Sequence, residues 1–472
     1  MLVEPAGARS MAAPQASDPG QTVDRVRAAL AASSVSTVSE LQSAIGLSRL
    51  EVHNATQELL RQGDALVAAG PEPAFVAPRE LPSEISTTGT IPVFDVDAQG
   101  RPQEFGTLVP TTHGRYWMEE RSGVNHLHDG MPWFLQDMRP QGFLGRAFAL
   151  ANPQLALPTH PQQWTDEQIL RVLVTTGEDL PGSLIVGEKS FERFLARRQP
   201  ERVDETGYPE LARASMQGAP PGSSAGGEQP KFCCVRSDGV HVLVKFSPPM
   251  TSDVGRRWGD LLVCEHLALR SLQDAGVPAA RSRIIEAGGR IFLEVERFDR
   301  TERGRIGMVS LLAYDCEYVG QLDNWAATAE RMQRKALLTG EHAQRLRFLE
   351  AFGLLIANTD RHYGNVSLVI DAAGDWALAP AYDQLPMFYA PVASELLERP
   401  APQPVLPSAQ MLPVWEEAAH AAHAFWKAVS ADPLISPPFR AIAGLHRQVL
   451  DRHLEDSAQL KEPARQDRLK AA

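Results

Sequence analysis

The stretch Phe348–Asn365 reads "FLEAFGLLIANTDRHYGN". It sets the strongest local constraint in the chain. Its first ten residues are nearly all apolar and must be buried, whereas its last eight carry Asp360, Arg361, His362 and Asn365. A core helix has to end there on a polar loop, and a switch that abrupt marks a functional loop carried on a rigid body.

The body must be large. At 472 residues the chain exceeds one ordinary core, so two to four domains are expected. No apolar run approaches the roughly 18–20 residues of a membrane helix. The opening residues, "MLVEPAGARSMAAPQASDPGQ", show no basic segment followed by an apolar one, so they are expected to be a flexible tail (residues 1–20) rather than a secretory signal. Cys233, Cys234, Cys264 and Cys316 form no Cys-x-x-Cys pair, which points to a reducing cytoplasm without a disulfide framework or zinc site. The net charge of −12 argues against a protein that coats nucleic acid, but leaves room for one DNA-reading module.

Residues 21–78 read as that module. Val23, Val26 and Leu30 recur at helical spacing, Ser36 or Thr37 can cap "VSELQSAIG", and Ser48 with Glu51 makes a capping box before a helix that stops at Gly63. "DALVAAGPEPAFVA" then reads as a two-stranded wing around a Gly-Pro turn. This is the order of a winged helix, in which Arg49, His53, Asn54 and Gln57 would face DNA bases. Its net charge of about −2 favours the other use of such modules, protein contact.

Residues 79–200 mix short strands with helices ("MPWFLQDM", "DEQILRVLVTT"), end in a turn at "EDLPGSLIVGE", and read as a scaffold or docking subdomain. Residues 201–300 read as a small antiparallel lobe, entered through the Gly/Pro/Ser-rich segment that ends in "SSAGGEQPK". Residues 301–472 read as mainly helical, with one hairpin, "VSLVIDAAGDWALAPAYD"; the part after Pro391 is assigned to packing. The fold class expected is α+β: a bilobal, protein-kinase-like body with a helical C-terminal lobe, preceded by the winged helix.

The chemistry points the same way. Asp360 and Asn365 stand five apart, the spacing with which kinase catalytic loops place a base and a metal ligand. Mg²⁺ takes few carboxylates from the protein, so one more is expected on a nearby strand; Asp383, after "WALAPAY", fits. Lys245 sits in "HVLVKF", among apolar residues, where a nucleotide phosphate would give it a partner and Glu265 on the following helix would pair with it. The bland alternatives are an edge-strand lysine with its head in water and a glutamate on a solvated helix face. "SSAGGEQPK", with Gly226 and Gly227, can wrap phosphates through backbone N–H groups, or be a plain linker. "VERF" is then the hinge between lobes, where backbone near Glu296 and Phe298 would meet adenine.

"SAGGEQPK", "LVKF", "VERFDR", "NTDRHYGN" and "PAYD", in this order, resemble the HipA-type serine/threonine kinases, the toxin half of bacterial toxin–antitoxin pairs. The resemblance spans about residues 100–460, and the added N-terminal module is similar to the YjjJ subgroup. It implies ATP and Mg²⁺ as cofactors, a catalytic Asp360, metal ligands Asn365 and Asp383, a phosphate-binding Lys245, and His362 lining the nucleotide site. It also implies autophosphorylation at Ser224, with Ser223 as the alternative, ejecting the Gly-rich loop and silencing the enzyme. A cytoplasmic protein substrate and an antitoxin partner follow, although a DNA-binding module fused to the kinase departs from the usual two-gene arrangement. The competing function is a DNA-binding regulator with a catalytically quiet kinase fold. "DRHxxN" is also similar to the catalytic loop of phosphoinositide kinases, but an acidic chain without a basic amphipathic helix gives a membrane surface nothing to hold.

Overall fold

The computed structural model describes residues 18–68, 73–196, 201–216, 229–392 and 395–470, with side chains as far as Glu455. Ser223, Ser224, Gly226, Gly227, the N-terminal tail and the Gly-Pro turn of the wing lie outside the described residues. The chain divides into two compact units. One contains residues 1–92 and 105–132, the other 93–104 and 133–472.

In the first unit three helices, Pro19–Ser33, Val38–Ile45 and Arg49–Gln62, close on Val26, Leu30, Leu41, Val52, Leu59 and Phe75. Local chemistry fixes where each begins and ends. Asp18 caps the first helix ahead of Pro19. Thr37 with Glu40, and Ser48 with Glu51, form reciprocal capping boxes on the second and third. Gly46 and Gly63 end those two helices in the left-handed region, where a side chain would be strained. A small antiparallel sheet, in the order Val35–Thr37, Ala74–Val76, Leu66–Ala68, completes the module. The first of these strands escapes a sequence reading because Thr37 both ends the strand and caps the next helix. A meander follows, built from Pro102–Pro110, Arg115–Glu120 and Asn125–Asp129. At its first turn the Thr112 hydroxyl donates to the Ala31 carbonyl and Arg115 donates to the Ala32 carbonyl at 3.1 Å. Val109 and Trp117 meanwhile pack with Ala68 and Val76. Module and meander therefore share a second, smaller apolar cluster beside the module's own core.

The second unit is built around a five-stranded sheet ordered Ser282–Ala287, Arg290–Glu296, His241–Phe246, Lys231–Arg236, Arg202–Val203. Alternation along His241–Phe246 sends Val242, Val244 and Phe246 to a face packed with Tyr208, Phe232 and Phe292. On the other side lies the helix Asp253–Asp274, whose Leu261 and Leu262 cluster with Ile291, Leu293 and Val295. The helical part comprises Leu311–Tyr318, Trp325–Arg334, Gly340–Leu355, Trp415–Ala431 and Pro437–Lys470, with a small sheet of Met308–Ser310, Ser367–Ile370 and Trp376–Leu378. Asp260, buried in the sheet-packing helix, accepts from the Ser436 N–H at 2.7 Å and hydroxyl at 2.6 Å, fixing the start of the last helix. Residues after Pro391 thus contribute packing, as read from the sequence, through Phe425, Trp426 and Phe439.

Two local expectations are corrected. The turn expected at "EDLPGSLIVGE" contains a strand, Leu184–Val186, paired antiparallel with Val93–Asp95. Pro181, Gly182 and Gly187 masked three apolar residues too short to read as a strand. The helix expected at "MPWFLQDM" is a 3₁₀ segment, Trp133–Met138, confined between Pro132 and Pro140.

The capping box gives a direct test. Ser48→Ala removes a hydroxyl that accepts from the Glu51 N–H at 3.3 Å, at a cost of about 1 kcal/mol. Amide exchange in Val52–Leu59 of the full-length chain is expected to accelerate about fivefold. Unchanged exchange would mean the cap does not hold this helix.

Candidate functional site

Lys245 lies on the central strand of the five, on the face opposite the aromatic cluster, and is only 6% exposed. The edge-lysine alternative therefore fails. Its ammonium lies 2.8 Å from both oxygens of Glu265, which is 1% exposed, so the solvated-glutamate alternative fails too. Asp383 forms a second ion pair with Lys245. Burial pulls the Lys245 ammonium below its ordinary value, and Glu265 pulls it back up.

Asp383 is not at the end of a strand as expected. The hairpin strand stops at Leu378, and Asp383 stands beyond it in a left-handed conformation (φ 53°). An aspartate tolerates that region only when its surroundings impose it. Asn358 is the restraint. Fully buried, it donates to the Asp383 carbonyl at 3.3 Å and accepts from the Asp360 N–H at 3.0 Å. One amide thus ties together the two loops that carry Asp360 and Asp383. The sequence reading missed Asn358, although it directly follows the apolar run, where a buried amide must find partners on both ends.

The rest of the loop is held as firmly. Arg361 turns away from the cluster, donating to Glu350 at 3.1 Å and to the Asn358 carbonyl, while Glu350 also accepts from the Trp325 N–H. Gly353 makes room for it: a Cβ there would sit 2.6 Å from the Arg361 side chain. Asn365 donates its amide N–H to the Asp360 carbonyl at 2.8 Å, which leaves its Oδ1 as the atom for a cation. Tyr382 donates to the Gly364 carbonyl at 2.9 Å and shares a 2.7 Å bond with Ser367. Tyr363 is fixed by Thr328 at 2.6 Å.

His362 is exposed. Its Nδ1 accepts from the Gly364 N–H at 3.0 Å, capping the short turn, and its Nε2 stands 3.9 Å from the Asp360 carboxylate. In "VERF", the Glu296 N–H already donates to the Arg281 carbonyl and the Arg297 N–H to the His241 carbonyl, both at 2.9 Å. These two amides are sheet groups. The Phe298 ring packs 5.6 Å from that of Tyr382, linking the hinge to the segment carrying Asp383. Just beyond, Asp299 is clamped by Arg297 at 3.0 Å and Arg300 at 2.7 Å. Burial alone would raise its pKa, but the two guanidiniums overcome this and hold it below the carboxylate range.

Lys245, Glu265, Asp360, Asn365 and Asp383 therefore meet in one place. An ammonium, an amide oxygen and carboxylates form a donor set suited to phosphate and a hard cation. Among the described residues no three His, Cys, Asp or Glu side chains gather as a metal cage. The Asn365 and Asp383 oxygens suit Mg²⁺, which keeps much of its water and needs few protein ligands. Arg49, His53, Asn54 and Gln57 lie in the other unit, all exposed, on the third helix of its first module. Among the described residues no helix is long and apolar enough to cross a membrane.

Residues 87–195 match the family described as YjjJ-like toxin, middle domain, and residues 223–432 match the HipA-like C-terminal domain. Toxin YjjJ of Escherichia coli (strain K12) is 37% identical over 364 residues, which cover 75% of this chain and 82% of that protein. Among solved structures, a chain of the Shewanella oneidensis MR-1 toxin–antitoxin complex of HipA, HipB and operator DNA is similar with a TM-score of 0.49. Its identity is 14%, over 77% of this chain and 97% of that one. The Helicobacter pylori proinflammatory kinase CtkA is similar with a TM-score of 0.34 and 12% identity, over 50% of this chain and 93% of that one. The two domain matches and the extended identity make the conclusion plain: this chain belongs to the HipA-related family of YjjJ-like toxins, and its fold mixes helices and sheets.

Proposed function

We propose that this chain is an ATP- and Mg²⁺-dependent serine/threonine protein kinase of HipA type, which slows growth by phosphorylating a cytoplasmic protein. The observation that carries the reading is the buried Lys245 ammonium, held by Glu265 and Asp383 beside a loop presenting Asp360 and Asn365. In this reading Lys245 binds the nucleotide phosphates, and Asn365 and Asp383 hold the cation. Bound magnesium would neutralise phosphate charge as the γ-phosphoryl group transfers. Asp360 accepts the proton of the substrate hydroxyl as its oxygen attacks phosphorus and the bridging oxygen departs with ADP. The nucleotide base would lie against the hinge near Glu296, Phe298 and His362. Gly226 and Gly227 would cover its phosphates, and Ser224 or Ser223 would be the residue modified in the self-silencing step. A phosphate there adds about −1.5 to −2 charges, which a phosphate-binding loop would not hold beside ATP. Kinship with toxins also supports an antitoxin as partner.

A second reading is favoured by one observation of its own. The first module has winged-helix element order, and its doubly capped third helix exposes Arg49, His53, Asn54 and Gln57 together. A DNA-binding role for residues 21–78 follows, either alongside the kinase or in place of it, although the acidic balance of the module opposes it.

Three outcomes are expected. Asp360→Ala should lower phosphoryl transfer to lysate protein by about 10²–10⁴-fold while ATP affinity changes little; transfer within a few-fold of wild type would remove Asp360 from its role. Asn358→Ala should lower transfer by about tenfold or more and weaken the Mg²⁺ dependence of ADP binding, since it frees the Asp383 loop; unaltered Mg²⁺ dependence would leave Asn358 a packing residue only. In a gel-shift experiment with its own promoter, Arg49→Ala should weaken binding about 5–100-fold; no binding by wild type would dismiss the DNA role.

A further inference from the structure

A cavity of about 910 Å³ opens between Glu178 and Asp179, the start of strand His241–Phe246 and the segment Arg300–Arg305. It lies within the second unit, and among the described residues none of those assigned to nucleotide binding lines it. Its size is that of a small-ligand pocket.

Its electrostatics are unbalanced. Asp299 and Asp179 are shared between Arg297 and Arg300; Asp179 lies 3.3 Å from the first and 2.8 Å from the second. Glu178 is bonded by Arg193 at 2.8 Å. Those three carboxylates therefore meet three guanidiniums. Beyond them, among the described residues, the cavity walls carry Arg202, Arg303 and Arg305 against Glu302, a surplus of two positive charges.

Arg305 shows what the surplus is for. It is only 6% exposed, and its guanidinium stacks 4.9 Å over the Phe194 ring. One nitrogen, Nη2, donates to the Glu178 backbone carbonyl, which brings no charge, while the buried Nη1 has no hydrogen-bond partner among the described residues. A buried guanidinium nitrogen without an acceptor is costly and uncommon. Burial, reinforced by Arg300, pushes the Arg305 pKa down to about 9, as an undercompensated cation requires. Arg202 reaches only the Ser237 carbonyl, at 3.2 Å, and Arg303 is exposed at the mouth. Planar forks of this kind match phosphate oxygens in paired hydrogen bonds.

We propose that this cavity binds a small phosphate-bearing dianion, with Arg305 as its buried anchor and Arg202 and Arg303 closing on it from the rim. The site is distinct from the Lys245 cluster and does not depend on the chain being an active kinase. Its floor continues into the hinge, since the Arg297 N–H donates to the His241 carbonyl and Arg297 holds Asp299. A bound anion would therefore sit beside the carboxylate-paired guanidiniums of Arg297 and Arg300 without displacing their partners.

The test is isothermal titration of the full-length protein with inorganic pyrophosphate, without Mg²⁺ or nucleotide. Lys245→Met, which removes the cation of the nucleotide site, should retain one pyrophosphate site with the affinity that wild type shows for it. Arg303→Ala and Arg202→Ala should each weaken binding about five- to tenfold, and Arg305→Met should abolish it. Arg303 and Arg202 are exposed, so their variants keep the test decisive if Arg305→Met fails to fold. Succinate, a dianion without phosphate, should bind at least tenfold more weakly. The proposal is overturned if no binding is detected, or if Lys245→Met loses it while both rim variants keep it. Equal affinity for succinate would also overturn it as a phosphate site.

Discussion

Burying the Lys245 ammonium is the constraint from which the organisation of the site follows. A cation at 6% exposure cannot stand alone; leaving one partner of such a buried pair unmet costs about 3–5 kcal/mol. The chain meets it with two carboxylates from segments far apart in sequence, Glu265 on the sheet-packing helix and Asp383 beyond the hairpin. Strand, helix and hairpin segment must therefore come together for the charge to be tolerated. The same condition brings Asp383 next to the polar loop, because Asn358 binds the Asp360 amide with one end and the Asp383 carbonyl with the other. Site geometry and buried electrostatics are one problem with one solution.

The polar loop that this solution positions gains its order from beneath. Glu350, on the apolar helix Gly340–Leu355, holds Arg361 and the Trp325 amide, so a charged residue inside a hydrophobic run serves the loop above it. Gly353 is small because Arg361 needs the space. Tyr382 and Phe298 carry the order on to the hinge. There Arg297, Asp299 and Arg300 join the 178–182 loop to the strand that ends at Glu296. The subdomain that showed no chemistry in its sequence therefore braces the segment after Glu296, and Arg202, Arg303 and Arg305 beyond it line the proposed anion cavity.

How much of this could be read in advance depended on whether the signal was local. Helix limits in the first module were legible because Thr37, Gly46, Ser48, Glu51 and Gly63 act within a few residues of themselves. The Lys245–Glu265 pair was legible because a lysine among valines demands a partner. Asn358 was not, because its two hydrogen bonds join loops that only the folded chain brings together. Leu184–Val186 was hidden by the glycines and proline around it; its partner strand, not its own composition, makes it a strand. The left-handed Asp383 gave no signal at all, since an aspartate in that conformation looks like any other in the sequence. Ser223 and Ser224 carry a proposal that the resemblance of "SAGGEQPK" to the family's loop supplied.

The central claim is that the Lys245 cluster works as a phosphoryl-transfer site. Intact-mass spectrometry of the dephosphorylated wild-type chain, before and after incubation with MgATP, tests it most directly. The account predicts the gain of one phosphate, mapped by fragmentation to Ser224 or Ser223. A fully unmodified chain, unchanged after prolonged incubation, would contradict it and leave the exposed helix Arg49–Gln62 as the functional surface.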